Sequence, residues 1–117
     1  MNNEKRAALA FICGNKYRVA VASRLYDYNR NKYLSYDFQK NEHGFNMFDY
    51  DRCSYLNGNG KQVFDFFTKS YINIFFNGRL FNGFDFQSST SFNGIINGNL
   101  ISIYDYQYGK YFNYIVL

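Results

Sequence analysis

Polar and apolar residues alternate along most of the chain, and this alternation recurs in five similar units. Each unit contains a triplet in which an aspartate stands between two aromatic residues. The triplets occupy residues 26–28, 48–50, 64–66, 84–86 and 104–106. Their aspartates are spaced 22, 16, 20 and 20 residues apart, which is long enough for two strands in each unit. The pattern therefore predicts five two-stranded repeats.

Other positions keep the same phase relative to the aspartate of each triplet. The residue three positions before it is always polar, and the residue seven positions after it is always apolar. Tyrosine follows at the sixth position in four of the five units, and serine or asparagine follows at the eighth. Composition alone would not hold so many positions in phase, so we interpret the unit as a structural repeat.

Asn-Gly pairs at 57–58, 77–78 and 97–98 separate successive units. Asn-Gly between alternating segments is typical of a type I′ hairpin turn, which needs a positive φ at both central residues. The sequence therefore predicts an all-β fold, an antiparallel meander of about ten short strands curled into a barrel or a folded sheet. A parallel solenoid is disfavoured because it would stack the aspartates about 4.8 Å apart, where their charges repel.

The N-terminal segment departs from the repeat. Residues 4–13 are rich in alanine, leucine and charged helix formers, and Gly14 follows as a candidate C-cap. We predict a short helix within 1–14 and repeats over 16–117, together forming a single domain over 1–117. The alternative is a strand over 7–13 that turns into a second strand over 16–23.

Composition and charge exclude some classes of function. The net charge is +4, and nine of the 13 basic residues lie within residues 1–52. A nucleic-acid-binding domain usually has a denser basic stripe, so we do not expect a nucleic-acid partner. Cys13 and Cys53 lack the spacing of a metal site and are expected to be reduced thiols of a cytoplasmic protein. The apolar run 7–13 is too short to span a membrane.

The two faces of the predicted strands differ in chemistry. One face carries aliphatic residues and the aspartates, and it is the expected core. The other carries the aromatic and asparagine positions, which either pack across the strands or bind a partner. The candidate binding residues on this face are Tyr26, Tyr28, Tyr33, Tyr55, Tyr71, Tyr104, Tyr106, Tyr111, Asn73, Asn93 and Asn113.

The triplet aspartates are the most distinctive polar residues, and a structural role is favoured for them. They are Asp27, Asp49, Asp65, Asp85 and Asp105. We expect each carboxylate to accept hydrogen bonds from backbone N–H groups of its own loop, because a unique site rarely recurs in every unit. The alternative is a row of carboxylates that binds a cation or the hydroxyl groups of a ligand. No metal and no cofactor are predicted.

Basic residues share the loops that follow the aspartates, and they are the candidates for a ligand-binding rim. They are Arg30, Lys32, Arg52, Lys69 and Lys110. The alternative interpretation is that these bases only balance the nearby carboxylates. His43 is the single histidine, and no nucleophile lies near it in sequence, so no catalytic residue and no enzymatic activity are predicted.

The segment GFDFQSSTSFNGIINGNLISIYDYQYGKYFNYIV shows the repeat most clearly. It resembles small bacterial proteins of uncharacterised function that contain repeated Tyr-Asp-Tyr hairpins. The likeness covers residues 24–117 and implies a fold, but it implies no reaction and no ligand. The segment 92–94, followed by Asn97-Gly98, is also distantly similar to MORN repeats, although its spacing is one residue short and MORN repeats lack the aspartate triplet.

These observations predict a non-enzymatic binding or interaction protein of bacterial or mobile-element origin. Its partner would be another protein or a second copy of the chain, bound through the Tyr/Asn face or the loop rim. The alternative function is binding of a small polar ligand, a sugar or a nucleotide, at the rim of aspartates and basic residues.

Overall fold

A computed structural model describes residues 1–117, and its strands form one closed antiparallel barrel. A single helix, α1, spans Asn3–Gly14. The strands are β1 Arg24–Asp27, β2 Lys32–Lys40, β3 Phe45–Asp49, β4 Ser54–Gly58, β5 Gln62–Asp65, β6 Ser70–Asn77, β7 Leu80–Asp85, β8 Thr90–Asn97, β9 Leu100–Asp105 and β10 Lys110–Val116. Each strand pairs with the next, and β10 pairs with β1. The predicted ten-stranded meander is therefore confirmed, in the form of a closed barrel.

Helix α1 lies inside the barrel. Every residue from 5 to 14 is buried, so no side of these turns faces solvent. Its side chains contact strands on different sides of the wall: the Phe11 ring lies 4.5 Å from the Tyr36 ring in β2, and Lys5 reaches Asp85 in β7. The predicted helix is confirmed, and the alternative of a strand over 7–13 is wrong.

The composition of α1 suits this enclosure. An α-helix with its side chains is about 10–12 Å across, and a ten-stranded barrel leaves limited room around it. Ala7, Ala8 and Ala10 keep the helix narrow, and all three are fully buried. The aliphatic side of the strands fills the remaining space, as expected from the alternation, and joins the helix in one apolar cluster.

The ends of α1 are capped by asparagine side chains. Asn2 Oδ1 accepts a hydrogen bond from Lys5 N at 2.8 Å at the first turn. Gly14 belongs to the helix and Asn15 is the C-cap, so the prediction of a Gly14 cap is wrong. Glycine is needed at position 14 for packing, because a Cβ there would overlap Val116 Cγ2. Residues 15–23 form a connection, and the strands begin at Arg24 rather than near residue 16.

The hairpin turns between units differ from the predicted type I′. Gly78 and Gly98 each have a φ of +61° at the first central position, while neither Asn77 nor Asn97 has a positive φ. Glycine in that position is typical of a type II′ turn. Asn57 and Gly58 lie within β4, and the turn that follows is closed by Asn59, whose Oδ1 accepts from Lys61 N at 2.8 Å.

Candidate functional site

The five triplet aspartates form a ring inside one end of the barrel, which we call the aspartate ring. Each is the last residue of an odd-numbered strand, so the meander brings all of them to the same end. All five are 0–1% exposed, because the alternation of the strands turns them towards the interior. The ring members are Asp27, Asp49, Asp65, Asp85 and Asp105.

Each ring aspartate accepts a hydrogen bond from a backbone N–H of the loop that follows it. The donors are Asn29 N for Asp27, Asp51 N for Asp49, Phe67 N for Asp65, Ser88 N for Asp85 and Gln107 N for Asp105, at 2.9–3.3 Å. The loops also share one backbone feature, a positive φ at the fourth residue after the aspartate. These residues are Asn31, Cys53, Lys69, Ser89 and Gly109. The repeat is therefore a repeat of loop geometry as well as of strands.

The N-terminal segment supplies buried cations to one side of the aspartate ring. Lys5 Nζ donates to Asp85 Oδ1 at 2.6 Å and lies 4.0 Å from Asp65 Oδ2. Arg6 Nε donates to Asp105 Oδ2 at 3.1 Å, and the amino group of Met1 donates to the same oxygen at 3.1 Å. The helix therefore carries counterions for three of the five carboxylates into the barrel.

The other side of the ring is neutralised by two loop arginines. Arg30 Nε donates to Asp27 Oδ2 at 2.7 Å. Arg52 Nε donates to Asp49 Oδ2 at 2.8 Å, and Arg52 Nη1 donates to Asp65 Oδ2 at 2.8 Å. Arg52 is only 8% exposed. The prediction that Arg52 lies on an accessible rim is therefore wrong, because its guanidinium is buried between two carboxylates.

Burial and these partners move the pKa values of two ring carboxyls, Asp49 and Asp85, in opposite directions. Burial raises the pKa of Asp49, although hydrogen bonds from Arg52 work against that rise. Burial also disfavours the charged form of Asp85, but Lys5 and Ser88 outweigh it and hold the Asp85 pKa below its ordinary value. The ring is thus a set of internal ion pairs in unequal surroundings. No group of three or more His, Cys, Asp or Glu side chains is arranged to hold a metal ion.

An aromatic collar surrounds the same end of the barrel on the outside. In the last unit, the Tyr104 ring lies 4.9 Å from the Tyr106 ring and 5.0 Å from the Tyr111 ring, both edge to face. The first three units contain the same cluster of three rings. The fourth unit contains only two rings, because its residue 91 is serine instead of tyrosine. The collar consists of Tyr26, Tyr28, Tyr33, Phe48, Tyr50, Tyr55, Phe64, Phe66, Tyr71, Phe84, Phe86, Tyr104, Tyr106 and Tyr111.

The asparagines of the Tyr/Asn face form a polar belt beside the collar. Asn73 Oδ1 accepts from Gln62 Nε2 at 3.1 Å across the β5–β6 pair. Asn113 Oδ1 accepts from Ser102 Oγ at 2.6 Å, and Asn93 donates to the hydroxyl of Tyr106 at 2.8 Å. The candidate residues of this face therefore pack across strands and remain at the surface at the same time.

The remaining rim bases, Lys32, Lys69 and Lys110, are exposed beside the collar. Lys32 Nζ is 3.6 Å from Asp51 Oδ1, and Lys110 Nζ lies 5.0 Å from the centre of the Phe112 ring. Lys69 is exposed and forms no ion pair. Lys32 and Lys110 begin strands β2 and β10, and Lys69 directly precedes β6, so these lysines are spread around the barrel and do not converge on one pocket.

The thiols and the histidine lie far apart in the fold. Cys13 is fully buried in α1, and burial raises the pKa of its thiol. Cys53 is exposed in the loop before β4. His43 lies in the exposed hairpin between β2 and β3, 3.9 Å from Glu42 Oε2. None of these groups forms a hydrogen bond with another.

Sequence reasoning missed the two helical cations of the aspartate ring. Lys5 and Arg6 precede an apolar run, and in the sequence they resemble the charged residues of an ordinary solvent-exposed helix end. The available signal was the placement of five carboxylates on the core face. Buried carboxylates need counterions, and a charged helix end is the natural source of them.

No family model, curated protein or solved structure that was compared with the chain matches it. The likeness to small bacterial repeat proteins and the distant similarity to MORN repeats therefore stay predictions. No helix of the protein combines the length and the apolar character needed to cross a membrane.

Proposed function

We propose that the chain is a non-enzymatic interaction protein that binds another protein, or a second copy of itself, through the aromatic collar. The observation that carries this proposal is the exposure of the collar. Tyr33 and Tyr111 are 59% and 63% exposed, and the second aromatic residue of every triplet is about half exposed. Exposed apolar clusters with polar residues at their edge mark interaction surfaces, and each unit contributes such a cluster of two or three rings to the collar.

The packing of the collar favours binding. Each outer ring rests edge to face against the central ring of its unit, as Tyr28 does against Tyr26 at 5.0 Å. Rings that are already held in place lose little rotamer freedom when a partner covers them, so binding costs less entropy. Tyrosine also combines a flat apolar body with a polar tip, which is why it is enriched at protein interfaces.

The distribution of charge favours an acidic partner. Most of the carboxylates are enclosed in the ring region, and outside it the acidic side chains are Glu4, Asp37 and Glu42. The outer surface keeps most of the basic residues, including Lys32, Lys69 and Lys110 beside the collar. A basic surface around an aromatic patch attracts an acidic protein and weakens association with a like-charged copy.

The proposal keeps the cytoplasmic location and the bacterial or mobile-element origin predicted from the sequence. An exposed free thiol at Cys53 suits a reducing compartment and supports the location. The alternative function, a sugar or nucleotide bound at the loop rim, has less support. The ring carboxylates already have internal counterions, and Arg52 is buried.

The experiment compares two triple variants of the full chain. Tyr28→Asn, Tyr50→Asn and Tyr106→Asn together remove exposed rings from three units of the collar. The control combines Phe75→Asn, Leu80→Asn and Ile95→Asn, which removes apolar side chains of 42–54% exposure outside the collar. Each protein is studied by sedimentation over a concentration series and by affinity capture from a bacterial lysate.

We expect the wild type and the control variant to self-associate or to capture the same protein, and the collar variant to do neither. Retention of both properties by the collar variant would contradict the proposal. A wild-type protein that stays monomeric and captures nothing would contradict it as well.

A further inference from the structure

A cleft opens at the end of the barrel opposite the aspartate ring, and its position follows from an irregularity in the repeat. From Tyr55 to Asp65 is ten residues, whereas the equivalent segment is fourteen residues in each of the next two units. Each strand of the short β4–β5 hairpin therefore lacks about two residues, which lowers the wall there by about 6–7 Å. The neighbouring segment from Tyr33 to Asp49 is the longest at sixteen residues.

The notch between the long and the short hairpin holds a cleft of about 290 Å³. Its apolar lining comes from the C-terminal turn of α1 and from the strands, and includes Ile12, Phe38, Ile74 and Phe76. Ligand pockets usually measure about 300–1,000 Å³, so this cleft suits a small molecule with one ring system.

Two lysines stand at this cleft without acidic partners. Neither Lys16 nor Lys40 forms an ion pair. Lys40 Nζ donates to the Arg18 carbonyl oxygen at 2.9 Å, and Lys16 Nζ lies 4.9 Å from the centre of the Phe76 ring. Partial burial and the neighbouring charge of Lys16 lower the pKa of Lys40, as expected when two cations share a site that lacks an anion.

The polar lining of the cleft also offers more donors than acceptors. The side-chain oxygen of Asn41 accepts from His43 N at 3.0 Å, and that of Asn59 accepts from Lys61 N at 2.8 Å. Their Nδ2 groups donate no hydrogen bond within the protein. Glu42 is the one acidic residue of the lining, and its side chain is 89% exposed.

We propose that this cleft binds a small organic anion, a phosphate or carboxylate attached to a flat apolar group. Lys16 and Lys40 hold the anionic group, and Phe38 and Phe76 contact the apolar body. Charge-assisted hydrogen bonds from the two ammonium groups supply most of the affinity. The site is independent of the aromatic collar, which lies around the other end of the barrel.

The test is a titration of the ¹⁵N-labelled full chain with phenyl phosphate and, separately, with benzoate, followed by NMR. Inorganic phosphate serves as a probe without an apolar body. We expect saturable shifts at the amides of 38–45 and 59–60 and of the end of α1, with a dissociation constant of about 1 mM or below for at least one aromatic anion. The tighter aromatic probe identifies the anionic group, and inorganic phosphate should bind more weakly than phenyl phosphate.

Two variants and one control locate the site. Lys16→Gln with Lys40→Gln should weaken binding about tenfold or more, whereas Lys32→Gln with Lys110→Gln, which removes the same charge elsewhere, should change it less than about twofold. Gly60→Leu keeps both lysines and should also weaken binding, because a Cβ at residue 60 lies 3.1 Å from Lys16 Nζ at the cleft. Absence of saturable shifts with both aromatic probes, or equal weakening in the two lysine pairs, would overturn the proposal.

Discussion

The side chains of Lys5 and Asp85 meet inside the barrel, with Nζ 2.6 Å from Oδ1 and neither side chain exposed. The lysine belongs to the enclosed helix, and the aspartate ends strand β7. An ion pair in such surroundings is costly to form, but it is costlier to break, because the remaining charge is left buried without a partner. This ion pair therefore fixes the orientation of α1 relative to strand β7 of the barrel.

Loss of the lysine charge should destabilise the protein strongly. Lys5→Met keeps the apolar length but leaves Asp85 and Asp65 without this cation, and we expect a loss of about 3–5 kcal/mol in the free energy of unfolding. Denaturant melts measure it. Lys32→Met is the control, since the Lys32 side chain is about half exposed, Asp51 keeps its closer partner Arg30, and the loss should be less than about 1 kcal/mol.

The double variant Lys5→Met with Asp85→Asn separates the ion pair from simple packing. Neutralising the carboxylate should restore part of the free energy of unfolding that Lys5→Met removes. The losses caused by the two single substitutions should therefore add to more than the loss caused by the double variant. Strict additivity, or a Lys5→Met effect no larger than that of Lys32→Met, would contradict the pairing.

The carboxyls of Asp85 and Asp49 should titrate on opposite sides of the ordinary aspartate pKa of about 3.9. The pKa of Asp85 is lowered, so its contribution to stability is present above the unfolded pKa and is lost as pH falls through the folded value. The pKa of Asp49 is raised, so folding favours its protonated form and this contribution has the opposite sign. Carboxyl ¹³C NMR titration measures both, and an Asp85 pKa above that of Asp49 would contradict the assignment.

Addition of one methyl group to the helix should disturb its packing against the wall. Gly14→Ala places a Cβ against Val116 and Ile101, and we expect a loss of about 1–3 kcal/mol despite the better helix propensity of alanine. Gly60→Ala is the matched control and should lie within about 0.5 kcal/mol of the wild type, because only the flexible end of Lys16 is near. Thermal and denaturant melts compare the two, and equal effects would place α1 outside the barrel.

The shared left-handed position of the loops predicts opposite effects for two substitutions. Gly109 has a φ of +65°, so Gly109→Ala should cost about 1 kcal/mol. Ser89 holds the equivalent position with a φ of +54°, and Ser89→Gly should be neutral or stabilising by up to about 1 kcal/mol. Denaturant melts give both values. Destabilisation by Ser89→Gly and tolerance of Gly109→Ala would mean that the loops differ in conformation.

Period-two alternation was sufficient to predict the strands and the inward direction of Asp65 and its equivalents, because it is a local property of the chain. The meander was predicted from the Asn-Gly pairs between units and from the repulsion that stacked aspartates would create in a solenoid. The turn type was not predictable in this way. Asn77-Gly78 suggests a type I′ turn locally, but pairing of Asn77 with Leu80 across the hairpin places the glycine first between the strands. That register depends on the whole sheet.

Enclosure of the helix and burial of Arg52 were also beyond local patterns. An amphipathic or apolar segment indicates burial without saying against what, and a loop arginine is normally exposed. Both outcomes depend on closure of the barrel, which brings carboxylates from five units to one end. The cleft near Lys16 did leave a local sign, the short spacing between the second and third aspartates.

The central claim is that α1 is enclosed by the barrel, and the reactivity of Cys13 tests it most directly. Cys53 is exposed in a loop with a φ of +52° and can be replaced by serine, which occupies the equivalent position at residue 89. In the Cys53→Ser protein, Cys13 is the single thiol. It lies near the C-terminal end of α1 and is fully buried in the apolar core that the helix forms with the strands. We predict that it does not react with Ellman's reagent under native conditions and reacts only at the rate of global unfolding. Reaction of Cys13 on mixing, at the rate of an exposed thiol, would contradict the enclosed helix.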